Sequence, residues 1–167
     1  ISENIVEVSA VVMRQSVLKT YIELFDEVGL KVVTCNAPSS VFAKHGVLHV
    51  PKTASIVVSL QEEGSIVVVS YNGKVHQSQY LPIGGKDLIR IIRDYVSMEY
   101  NDAKQVLHKH GFLATHPDKK VYSALSEALE KVTEAADDMA TEYLQGAQSE
   151  SNIKLYLTGP YALIPGV

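Results

Sequence analysis

The run SIVVSLQEEGSIVVVSYNGKVHQSQY, Ser55–Tyr80, restricts the fold more than any other stretch of the chain. Three segments rich in β-branched residues, Ala54–Leu60, Ser65–Tyr71 and Lys74–Leu81, are separated by Gln61–Gly64 and by Asn72-Gly73. Asn-Gly supplies two residues that tolerate positive φ, which a two-residue hairpin turn requires if its twist is to match the strands on either side. The three segments therefore form an antiparallel meander. A sheet of this kind is stable only when helices or further strands cover its apolar face.

The flanking sequence supplies them. Ile5–Met13 and Leu30–Thr34 read as buried strands. Between them, Gln15–Val28 places Val17, Leu18, Tyr21, Ile22, Phe25 and Val28 on one helical stripe and stops at Gly29. Strand, helix and strand with short links predict a parallel βαβ unit. Asn36-Ala37-Pro38 turns into a short helix over Ser39–His45, and Gly46–Thr53 is a loop. Beyond the meander, Gly84-Gly85 turns strand into helix, and Lys86–Met98 carries Leu88, Ile91, Ile92, Tyr95 and Val96 on one face. Asn101 is placed to cap a short helix ending at Gly111. A long helix, about Pro117–Gln145, follows. Its stripe is Val121, Leu125, Leu129, Val132, Ala136, Met139 and Tyr143, and Glu127, Glu130, Lys131, Glu134, Asp137 and Asp138 form the exposed face, read as solvated in preference to a partner-binding edge. Ile153–Leu157 is a last strand after a polar linker.

Composition limits the function classes. With 46% hydrophobic and 20% charged residues the 167-residue chain can bury a core. Fifteen basic against nineteen acidic residues, a formal charge of −4, argue against nucleic-acid binding, which calls for a basic face. No window of about 18 uncharged apolar residues exists to span a membrane, and no basic-then-apolar leader is visible. The single cysteine, Cys35, has no partner for a disulfide or a zinc pair and reads as a small buried hydrophobe at a strand end in a reducing compartment. The six histidines lack metal-ligand spacing and read as surface residues. Ile1 and Val167 both look like cuts, so a longer natural protein is expected.

Two segments then invite comparison with a known family: Ile56–Ile92, a meander leading through LPIGG into a helix, and the C-terminal LYLTGPYALIPGV, Leu155–Val167. Ser16–Ala43 and Asn101–Phe112, NDAKQVLHKHGF, fall in the matching order. Together they resemble the PilM/FtsA-like family of actin-like proteins and, more distantly, the cytoplasmic domain of GspL-type type II secretion proteins. The resemblance implies an α/β, actin-like (ribonuclease-H-like) fold, incomplete here. Residues 1–53 would be a partial first lobe (βαβα), and 54–167 a second lobe with a helical insertion at about 100–116. The first lobe's own opening meander has no counterpart.

The same resemblance identifies where nucleotide chemistry would sit and what has replaced it. Family members carry a DIGxxxTD-like turn between the first two strands of the second lobe. Ser59 stands at its aspartate, Gln61, Glu62 and Glu63 fill its glycine-rich part, Ile66 replaces its second acid, and only Gly64 and Ser65 stay small. Two carboxylates facing a triphosphate repel it, by about 1 kcal/mol at 4 Å in water and about 4 at an effective dielectric near 20. A magnesium ion on Glu62 or Glu63 would reverse that sign. At the adenosine turn, Thr158-Gly159-Pro160-Tyr161 replaces TGGG: Gly159 still allows close backbone approach, Pro160 removes a donor, and Tyr161 adds bulk. The ring either stacks on adenine or fills the slot, and filling is the favoured reading.

The resulting expectation is a non-catalytic scaffold without cofactor or metal, cytoplasmic and associated with the bacterial inner membrane. By resemblance it would serve a type IV pilus or type II secretion machine, linking an inner-membrane pilus platform protein to a hexameric assembly ATPase. The alternative is a fragment of an ATP-binding PilM/FtsA-type protein taking ATP with magnesium, its nucleotide held by Ser59, Gln61, Gly64, Ser65, Gly159, Pro160 and Tyr161. Sugar-kinase or ribonuclease-H chemistry needs clustered acids at strand ends, where this chain has Ser59, Ser70 and Thr34.

Overall fold

The computed structural model describes residues 10–49, 53–146 and 152–167. A four-stranded sheet organises them: β1 (Ala54–Leu60), β2 (Ser65–Tyr71), β3 (Lys74–Leu81) and β4 (Ile153–Thr158), in the order β3-β2-β1-β4. The meander strands begin and end at the expected residues. Asn72 and Gly73 have φ of 50° and 77°, the pair of left-handed conformations that the hairpin demands. β4 lies parallel to β1, with Ala54 opposite Ile153 and Ser59 opposite Thr158. A parallel neighbour needs a long crossover, and α3 (Gly85–Val96), α4 (Tyr100–His110) and α5 (Lys119–Gly146) provide it.

Alternation along the strands gives the sheet two buried faces. Ile56, Val58, Leu60, Val67 and Val69 point into the main core with Ile89, Ile92, Leu107, Leu125 and Met139 from α3, α4 and α5. The opposite face presents Ser55, Val57, Ser59, Val68 and Ser70, all buried, and α2 (Pro38–His49) packs on it. There the Ser55 and Ser70 hydroxyls pair across the strands at 2.8 Å, satisfying two buried polar groups at once.

Helix boundaries follow local chemistry. Asp118 caps α5: its Oδ1 accepts from the N–H groups of Lys120 (2.8 Å) and Val121 (3.2 Å). Asn101 does not cap α4; it lies in the first turn, and Glu99 holds the cap position without a side-chain bond. Gly111, at φ +47°, ends that helix as expected. α2 continues to His49, through the segment read as a loop from Gly46.

The first 40 or so residues depart furthest from expectation. α1 (Gln15–Glu27) forms where the stripe predicted it, but none of its residues is buried. Leu30–Thr34 is not a strand, so the βαβ unit expected around α1 lacks its second strand. A strand persists only when a neighbour completes its hydrogen-bond ladder, and the partner expected for it, Ile5–Met13, lies mostly outside the described residues, with 10–13 not in a strand. Cys35 is consequently exposed, not a buried strand-end residue. His116 departs in the other direction. It is 3% exposed, its Nδ1 accepts from the Asp118 N–H at 3.1 Å, and its Nε2 is buried without a partner. It is a core histidine at the start of α5, not a surface one.

Candidate functional site

The β1–β2 bend, the start of α3 and the turn after β4 meet at one end of the sheet. The bend closes on itself through Gln61 N–H to Gly64 O, 3.0 Å. It also receives the first N–H groups of α3: Gly85 donates to Gln61 O (2.9 Å) and Lys86 to Glu62 O (3.0 Å). Asp87 and Leu88 N–H donate to Gly84 O at 3.0 and 3.2 Å. A helix N-terminus ordinarily offers such donors to an anion; here all four have acceptors within the chain. Asp87 Oδ2 in turn accepts from Gly84 N–H, 3.0 Å.

Glycines make this contact possible. A Cβ on Gly84 would stand 2.3 Å from Gly64 N, and one on Gly64 would stand 2.4 Å from the Tyr80 hydroxyl. Gly159 has φ +99°, and a Cβ there would meet Leu60 O at 2.3 Å. Both glycines thus lie against other parts of this chain, Gly64 against the Tyr80 hydroxyl and Leu81 O and Gly159 against the Leu60 backbone.

Each sequence-predicted residue has a definite place. Ser59 is fully buried and its Oγ accepts from the Gln61 side-chain amide. Ser65 Oγ donates to Ile83 O, 2.6 Å. Pro160 is exposed at the turn. Tyr161 is 3% exposed and lies against Gly85, with the His108 ring parallel to it at 6.1 Å between centroids. Burial, with the Glu62 carboxylate next in effect, pushes the Tyr161 hydroxyl up to about 12. The space left among Leu60, Ser65, Gly85, Leu88, Val132 and Tyr161 is about 10 Å³, room for one water at most.

The tip carboxylates have partners that sequence reasoning did not single out. Lys86 pairs with Glu63, and that bond and charge raise the lysine's pKa above its usual value. The Tyr100 hydroxyl lies 3.5 Å from Glu62 Oε1, and the Tyr80 hydroxyl donates to Glu63 O, 3.0 Å. Lys86 beside a glycine pair, two tyrosines and His108 are separated in sequence, and only the fold assembles them. Among the described residues no three His, Cys, Asp or Glu side chains converge as a metal site would require.

This architecture is that of actin-like proteins. A chain of the PilM-PilN type IV pilus biogenesis complex superposes with a TM-score of 0.67 over 92% of this chain and 43% of its own, at 18% identity. MreB5 of Spiroplasma citri bound to ADP gives 0.68 over 91% and 56%, at 14% identity. The ethanolamine utilization protein EutJ from Carboxydothermus hydrogenoformans gives 0.52 over 86% and 47%, at 17% identity. The chain thus has the actin-like fold and spans about half the length of the structures it matches. No protein-family model matches the sequence, and no curated protein matches it. No helix among the described residues is long and apolar enough to cross a membrane.

Proposed function

We propose that this chain is a non-catalytic actin-like scaffold domain whose nucleotide end has been converted into packed protein. One observation carries the reading: the Tyr161 ring occupies the space over Gly85, next to the start of α3, whose N–H groups already hold the β1–β2 bend. With Ser59 in place of an acid and Glu62 and Glu63 at the bend, the residues do not fit a nucleoside triphosphate. Its phosphates would meet two carboxylates, only one of which has a lysine partner.

By resemblance, and in keeping with the likeness to the PilM-PilN complex, the domain serves a type IV pilus or type II secretion assembly machine. It works on the cytoplasmic side of the bacterial inner membrane, linking an inner-membrane platform protein to the hexameric assembly ATPase through protein contacts. The second reading, an ATP-binding fragment, has one feature in its favour: the left-handed Gly159 survives in the turn after β4. Melting curves with and without magnesium-ATP separate the two. The scaffold reading expects no shift, because a ligand raises the melting temperature only by binding the folded state preferentially. A saturable upward shift overturns it.

A further inference from the structure

We draw no further inference here: the strongest candidate, the side-chain pair of buried His116 and His110 at the corner between α4 and α5, carries nothing because no third His, Cys, Asp or Glu side chain joins it to hold a metal among the described residues, and His116 Nδ1 lies within bonding distance of both the N–H and the carbonyl oxygen of Asp118, so that its contacts single out no protonation state for a switch to act on.

Discussion

The ring of Tyr161 stands where any side chain on Gly85 would have to go: a Cβ at Gly85 would lie 1.9 Å from Tyr161 Cζ. Neither residue can change alone without cost. Gly85→Ala is expected to destabilise by about 3 kcal/mol, the upper end for overpacking a filled site, and Tyr161→Ala by about 3–5 kcal/mol through the cavity it leaves. The clash vanishes once the ring is gone, so the double variant should fall short of the sum by at least about 1 kcal/mol. Urea unfolding of the four proteins measures this, and strict additivity would separate the two residues.

Alkaline stability should report the same ring. The Tyr161 hydroxyl is raised to about 12, whereas an unfolded tyrosine titrates near about 10. A raised folded value means that this stabilising contribution is complete below pH about 10 and lost as pH climbs toward about 12. Tyr161→Phe lacks the titration, so its stability should fall less than that of the unsubstituted protein over this interval. Parallel pH curves for the two proteins would remove Tyr161 as the cause.

The start of α5 depends on Asp118, whose carboxylate accepts from two backbone N–H groups. Asp118→Ala should cost about 1 kcal/mol, which in a domain of this size lowers the melting temperature by roughly 2–4 °C. Asp118→Asn, which keeps an acceptor oxygen, should recover most of it. Calorimetry decides, and an alanine variant as stable as the asparagine one would show that the cap is idle.

The buried hydroxyl pair under α2 makes a further case. Ser55→Ala leaves Ser70 without its 2.8 Å partner and should cost about 1–3 kcal/mol, whereas replacing both serines by alanine should cost less than either single change. Denaturant titration of the three variants tests the point, and a double variant worse than both singles refutes it.

Much of this was legible in the chain. β-Branched runs with Asn-Gly between them gave the meander to the residue, because strand period and turn conformation are local properties. Apolar stripes located α1, α3 and α5 for the same reason, whereas α4 was read from its end at Gly111. Leu30–Thr34 shows where that logic stops: its composition suits a strand, but pairing needs a neighbour, and composition does not supply one. His116 shows the converse, since nothing in a His-Pro-Asp triplet announces burial.

At the candidate site, the resemblance singled out Gly64, Gly159 and Tyr161, and the fold brings all three to one end of the sheet. The sequence could not reveal that Gly85 lies beneath the tyrosine ring, that His108 stacks on it, or that Lys86 answers Glu63.

Local spacing by itself determined the three meander strands, the acidic Gln61–Gly64 bend between the first two, and helices α1, α3 and α5. Tertiary structure alone decided what that bend touches and which histidine is buried. The reason is physical: periodicity and turn preference act over a few neighbouring residues, whereas contact and desolvation arise between groups as far apart in the chain as Gly85 and Tyr161.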